Sequence, residues 1–265
     1  MPEISSRPSF SKAFRLVLTL LRSSKQSINP KKFLAELGTL ISQRSHRTFS
    51  PNKEHDVPEV LSYVLDSLIG TSAILRKMIS STYCVRLTCN DCNSERTTEQ
   101  DPLAIIAVPV KENIQCAINS FHCSEVLEGT SAIHCDMCGR KTSTLRDLWF
   151  SDLPEIVFIQ LNRFFMDGNT PRKNLRQVAY GDLVNLPLML DQEVMVPTQC
   201  PYTLRAVINH TGPFGNGHYT ANVKYKDSNN WIHCNDNAVC FMGKESSRKK
   251  FMDPKTPYLF VFSRS

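Results

Sequence analysis

Two pairs of cysteines carry the same spacing, Cys89-Asn90-Asp91-Cys92 and Cys135-Asp136-Met137-Cys138, with residues 93–134 between them. A Cys-x2-Cys turn brings two thiolates to one side of a tight loop, and two such turns complete a tetrahedral sulfur site suited to Zn2+. A redox pair would explain one turn but not its repetition, and two unrelated pairs of buried thiols would not require equal spacing. Neighbouring His122, Cys123, His134 and Cys84 offer further ligand atoms. The spacing therefore establishes a metal site more firmly than it establishes the ligand set.

A second chemical constellation lies late in the chain. The glycine-rich stretch Asn209-His210-Thr211-Gly212-Pro213-Phe214-Gly215-Asn216-Gly217-His218-Tyr219 delivers His218 at the mouth of a strand, and Trp231-Ile232-His233-Cys234-Asn235-Asp236 supplies Asp236 after another. Two adjacent antiparallel strands would set the two side chains together, the geometry in which an acid orients an imidazole. His218 could then take a proton from a thiol and return it to a leaving amine. The plainer account is a surface histidine beside a turn-forming aspartate. Nearby Cys234, Cys240 and Cys200 are expected to be packed thiols rather than nucleophiles.

The elements that must position these groups are set by hydrophobic period. Phe10, Phe14, Val17, Leu18 and Leu21, then Phe33, Leu34, Leu37 and Leu40, recur at helical intervals. A third helix is predicted from Val57 to Leu68, with Pro58 in its tolerated first turn. From Tyr83 the pattern shortens to strands: Tyr83 to Leu87, Ala104 to Val110 and Thr142 to Leu148 around the cysteine turns. Ile156 to Leu161, Tyr202 to Ile208, Tyr219 to Tyr225, Trp231 to Cys234 and Tyr258 to Phe262 form a mixed or antiparallel sheet. Phe164, Phe165 and Phe241 are expected in its core, with groove lining the alternative. The fold class is α+β.

Composition narrows the function classes. With 41% hydrophobic and 21% charged residues, 10 Gly and 15 Pro, collagen-like, coiled-coil and disordered classes are excluded. The 265 residues are read as a single domain 1–265 able to bury a sizeable core. A net charge of +6 is too small to argue for a nucleic-acid surface, and the basic run Arg248-Lys249-Lys250 is expected to be a solvated loop. A nucleic-acid zinc ribbon is disfavoured because the cysteine turns lack a basic, aromatic surface. No stretch approaches the roughly 18 apolar residues of a membrane span. Phe14 to Leu21 resembles a short signal peptide but Arg22-Ser23-Ser24-Lys25 gives no cleavage pattern, so an intracellular location, cytoplasm or nucleus, is expected. Asn209-His210-Thr211 is a glycosylation triplet that carries little weight without export.

Further segments complete a pattern. Asp56-Val57-Pro58-Glu59-Val60-Leu61, the paired cysteine turns, Leu153-Pro154-Glu155-Ile156-Val157-Phe158-Ile159-Gln160-Leu161-Asn162-Arg163-Phe164, Gly217-His218-Tyr219-Thr220, Trp231 to Asp236 and Pro257 to Arg264 occur in that order. Over residues 10–264 this resembles the catalytic domain of the ubiquitin-specific proteases, a papain-like cysteine protease fold. The resemblance implies a helical thumb, here partial, over 1–80, zinc-ribbon fingers over 81–150 and a β-sheet palm over 151–265. It implies His218 as general base, Asp236 as its orienter, and structural zinc on Cys89, Cys92, Cys135 and Cys138. It further implies ubiquitin or a ubiquitinated protein as partner, with hydrolysis of the isopeptide bond at the ubiquitin C-terminus.

The sequence departs from that family in one respect. Members begin with an Asn-x-Cys box whose cysteine is the nucleophile; nothing before Ser9 matches it, residues 9–45 resemble the segment just beyond that box, and the first cysteine is Cys84. The chain alone is therefore expected to show little or no peptidase activity. Two origins stand open, a piece of an active parent whose cysteine lies upstream and a non-cleaving ubiquitin-binding pseudoenzyme. The rival from another class is a zinc-stabilised interaction scaffold without ubiquitin-tail recognition.

Overall fold

The computed structural model describes residues 7–23, 29–45, 49–50, 53–70, 72–189, 197–225, 230–242 and 253–265. The basic run at 248–250 lies outside them, and so does the side chain of Leu21. The chain divides into two compact units, Met1–Lys77 with Gly215–Gly217, and Met78–Phe214 with His218–Ser265.

The first unit is helical: α1 Arg7–Ser23, α2 Lys31–Ser45, α3 Val57–Ile69, and most of α4 Ala73–Ile79. The predicted stripes supply most of its core, with Phe10, Leu37, Leu40, Ile41 and Val64 buried and Phe14, Phe33, Leu34 and Val60 packed around them, while Leu18, expected in the first stripe, is 38% exposed. Each such side chain contributes roughly 1.5–3 kcal/mol when fully buried. The start of α3 is fixed chemically, since Asp56 caps it by accepting from the Glu59 N–H and Pro58 occupies the first turn, where no amide donor is missed. No described helix is long and apolar enough to cross a membrane.

The second unit is built on a twelve-stranded sheet. In chain order its elements are β1 Thr82–Cys89, β2 Glu95–Glu99, β3 Ile105–Val108, α5 Ile114–Asn119, β4 Glu125–Leu127, β5 Ile133–Cys135, β6 Arg140–Thr142, β7 Thr144–Asp152, β8 Ile156–Leu161, β9 Phe164–Asp167, β10 Thr170–Lys173, β11 Leu183–Leu188, β12 Thr198–Thr211, β13 His218–Lys224, β14 Trp231–Asn235, β15 Ala238–Met242 and β16 Pro257–Arg264. The order β15-β14-β13-β12-β11-β7-β1-β2 runs across the sheet, and β16 joins β12 to β8, which pairs in turn with β3. Hairpins β5–β6 and β9–β10 stand apart as two-stranded sheets.

Alternation gives this sheet two unlike faces. One is core: Ile106, Ile159, Phe260, Phe262, Val207, Trp231 and Met242 are buried together with Ile114, Ala117 and Ile118 of α5. On the other, the register lines up Ile105, Phe158, Val261, Ala206, Val223, Ile232 and Phe241 across seven strands. That row is apolar throughout yet half-buried to exposed, where an antiparallel sheet facing only water would carry polar side chains.

Arg163 is a charged side chain inside the core. Fully buried, its guanidinium donates to the carbonyls of Pro257 (2.6 Å), Asn174 (2.9 Å), Arg176 (3.0 Å) and Pro254 (3.4 Å). It thereby ties the end of β8 to the segment after β10 and to the start of β16. Burial pulls its pKa down to about 10.

Two expectations are corrected. Phe165 and Phe241 are exposed, at 50% and 69%, because they fall on the outward positions of β9 and β15; Phe164 is half-buried against His210, Phe214 and Tyr258. Cys240 is exposed rather than packed, whereas Cys200 is buried. Asn209 is 2% exposed, so its glycosylation triplet is unreachable.

Candidate functional site

The antiparallel pairing of β13 with β14 places Ala221 opposite Cys234 and Asn222 opposite His233. Counting outward by two, His218 and Asn235 lie on one face at the free ends of their strands. They meet: His218 Nε2 is 2.6 Å from Asn235 Oδ1. Asp236 comes next, in a two-residue turn that closes β14 onto β15 through the Asn235–Ala238 pair, with φ of 48°. Asparagine and aspartate tolerate that left-handed conformation because their short polar side chains bond locally. The Asp236 carboxylate reaches His218 Nε2 only at 4.0 Å, and its side chain is 79% exposed against 46% for the imidazole.

The sequence placed His218 beside an acid, and the structure brings both to one corner. It also supplies a group the sequence reading passed over, since Asn235, adjacent to the aspartate, makes the shorter contact. Strand parity could have found it, because Asn235 faces the same way as His233 and Asn222 whereas Asp236 leaves the strand. As Oδ1 is an acceptor, the proton sits on Nε2 and leaves Nδ1 as the basic nitrogen. All ten cysteines are described, and none is a partner of His218. Cys234, next to Asn235, points to the opposite face, and burial pushes its thiol pKa up.

Behind this corner, Lys173 on β10 donates to His210 Nδ1 (2.7 Å), the His210 carbonyl (2.7 Å) and the Gly212 carbonyl (3.2 Å). Its ammonium also lies 5.7 Å from the Phe164 ring centre. The bond at Nδ1 requires a neutral His210. Lys173 thus pins the root of the glycine loop, where Gly212 takes φ of 90°. From Thr211, paired with His218, the hydroxyl donates to the His218 carbonyl at 3.3 Å.

The cysteine turns converge as their spacing required. Sγ atoms of Cys89, Cys92, Cys135 and Cys138 all lie within 4.8 Å of one another. Cys89 and Cys138 are 3.9 Å apart, Cys92 and Cys135 3.6 Å. Four sulfurs at about 2.3 Å from a tetrahedral metal would be about 3.8 Å apart, so the donor set fits. The Thr142 hydroxyl holds Cys89 down to about 6, while the neighbouring Cys92 thiol pushes Cys138 up to about 12. Four thiols this close cannot all ionise unless a cation balances them. Of the competing ligands, Cys84 packs with Trp149 and Met189 and His122 against Phe121 and Phe150, while Cys123 and His134, the latter lining the same cavity as Cys89 and Cys135, fall outside the group of converging ligand atoms.

A family model described as ubiquitin carboxyl-terminal hydrolase matches residues 3–262. The chain belongs to the ubiquitin carboxyl-terminal hydrolase family. Among its relatives, probable ubiquitin carboxyl-terminal hydrolase 4 of Schizosaccharomyces pombe is 24% identical over 302 residues, covering 93% of this chain and 48% of that protein. Ubl carboxyl-terminal hydrolase 18 of Homo sapiens is 26% identical over 216 residues, covering 73% and 58%. A solved structure titled as the SAGA Ubp8/Sgf11/Sus1/Sgf73 DUB module bound to ubiquitin aldehyde superimposes with a TM-score of 0.77 at 20% identity, over 98% of this chain and 60% of that one. The shared architecture is the mixed α+β fold of these hydrolases. The chain spans 48% of the yeast relative's length.

Proposed function

We propose that these residues form the ubiquitin-recognising body of a ubiquitin-specific protease, with residues 1–80 as thumb, 81–150 as zinc-bearing fingers and 151–265 as palm. His218 is the general base, Asn235 holds its ring through Nε2, and Asp236 is a more distant carboxylate at the same corner. The observation that carries this is the His218–Asn235 contact at 2.6 Å on the free ends of β13 and β14, in a chain matched by the family almost end to end. The apolar row from Ile105 to Phe241 offers the kind of surface that buries against a globular protein. The neighbour whose fold this chain shares was captured with ubiquitin aldehyde, which favours ubiquitin as the partner over a scaffold role.

Cys89, Cys92, Cys135 and Cys138 would hold Zn2+, whose role there is structural because four thiolates fill its tetrahedral shell. Around it the chain does the rest: Thr142 and Ser94 hydroxyls bond the sulfurs, and the Arg140–Asp91 pair at 2.6 Å bridges the two turns.

For catalysis, His218 Nδ1 would accept a thiol proton so that the thiolate attacks the carbonyl of ubiquitin's terminal glycine. The imidazolium would then protonate the departing lysine amine, and water activated through the same ring would release the thioester. No cysteine of this chain is held against His218, so the 265 residues alone would bind ubiquitin without cleaving it. Ten free thiols fit a reducing, intracellular setting. The test is incubation with ubiquitin and, separately, with ubiquitin bearing a C-terminal electrophile. Saturable binding with no covalent adduct is expected; no binding sinks the reading, and stoichiometric labelling of one cysteine sinks the non-cleaving part.

A further inference from the structure

The segment leading into α3 reaches the glycine loop. The Glu54 carboxylate accepts from the Gly217 N–H, one residue before His218. Both partners belong to the helical unit, and His218 opens β13 in the sheet unit. Glu54 sits on a braced stretch of chain. Its neighbour His55 stacks on Phe49 with ring centres 4.5 Å apart and places Nε2 2.9 Å from the Ser50 carbonyl, and the next residue, Asp56, caps α3. From 211 to 216 the glycine loop is exposed, and it becomes half-buried at Gly217. The loop is therefore fastened at both ends, by the Lys173 ammonium on the Gly212 carbonyl and by the Glu54 carboxylate on the Gly217 amide. A hydrogen bond to an ionised acceptor is roughly twice as strong as one between neutral groups.

We propose that Glu54 is a positioning residue for His218, which rests on the reading of that histidine as general base. The imidazole is held at its far end by Asn235 at 2.6 Å, a contact that lasts only while the backbone beneath the ring stays in place. Only the two torsions of Gly217 separate the anchored amide from the planar peptide that begins His218. Glycine has the widest freedom in those torsions of any residue, so without the anchor the first residue of β13 would inherit it. What the position requires is an acceptor oxygen, which a glutamine side chain also carries.

Nuclear magnetic resonance of the metal-loaded chain without ubiquitin tests it. In the wild type the Gly217 amide should be protected from hydrogen exchange at least about tenfold more than that of Gly215, which is exposed in the same loop. Glu54→Ala should remove that protection and move the His218 ring signals toward those of Asn235→Ala, in which the ring has lost its contact. Glu54→Gln should retain both the protection and the ring signals. Equal protection of Gly217 and Gly215 in the wild type overturns the proposal whether or not the variants fold. So does a folded Glu54→Ala chain whose His218 ring signals stay at their wild-type positions, or a folded Glu54→Gln chain that behaves as Glu54→Ala does. These failures would leave ubiquitin recognition standing, whereas a wild-type chain that does not bind ubiquitin would sink that reading alone.

Discussion

The cysteine cluster and the His218 corner both gather residues far apart in sequence, but they are held in different ways. At the cluster, each Cys-x2-Cys turn fixes its own two sulfurs, and β1, β7 and the β5–β6 hairpin have only to bring two turns together. Thr142, Ser94 and Arg140 then brace the sulfurs locally. At the corner, two side chains far apart in sequence meet because β13 keeps an unbroken register with β12 on one side and with β14 on the other, and behind them Arg163 and Lys173 fasten the supporting segments. The first site is closed by its own ligands. The second is positioned from a distance, and its exposed pair contributes little to holding itself together.

The largest effect is expected from Cys135→Ser. The chain should lose its bound zinc, measured by elemental analysis as a fall from one metal per chain, and its thermal midpoint should drop by about 10 °C or more. Hydrogen exchange should rise in β1, β2, β5 and β6 while β12 to β14 stay protected; loss of protection throughout would mean the two regions are not separable. Second, Arg163→Met leaves several buried carbonyls without a donor and should cost about 3 kcal/mol, read as a lower urea midpoint. Its metal content should be unchanged, the mirror image of the first result.

A smaller split is expected at the corner itself. In a form carrying the nucleophile, Asn235→Ala should lower kcat by about tenfold and Asp236→Ala by less than about threefold, because the first removes a short hydrogen bond and the second a solvent-exposed pair at the edge of contact. The reverse order would make the carboxylate the orienter. An effect confined to acid pH concerns His122, whose pKa burial pulls down to about 4 and whose Nε2 is buried without a partner. The unfolded chain protonates it near 6.5, so its contribution is complete above about pH 6.5 and is lost as pH falls toward about 4. His122→Phe should flatten the stability profile in that window without altering the profile above it.

What the sequence disclosed divides along the same line. The four-cysteine cluster was legible because spacing within a turn is itself the geometry, and the helices of the first unit because Phe10 and Phe14, Leu37 and Leu40, and Val60 and Val64 recur at helical period. The strands from Ile156 to Leu161 and Trp231 to Cys234 were visible as compact apolar runs. Strands β2 and β10 were not, since Glu95 to Glu99 and Thr170 to Lys173 are polar and pair only because neighbours offer them an edge. Phe165 and Phe241 were misplaced because residue type favours burial and only strand parity says otherwise. Asn235 was overlooked for a related reason: an aspartate is the stronger chemical signal, but the backbone leaves the strand at Asp236, and it is the last residue of the ladder that faces the imidazole.

Lys173 carries a consequence of another kind. An amine acts as a nucleophile only through a lone pair, and this one has every proton already given to an acceptor beneath an aromatic ring. Acylating reagents, and enzymes that tag lysines, would have to tear out three contacts before finding anything to attack. Among the described lysines it should, with Lys224, whose side chain is 9% exposed beside Asp182, be one of the slowest to acylate, a silent residue in any census of surface amines.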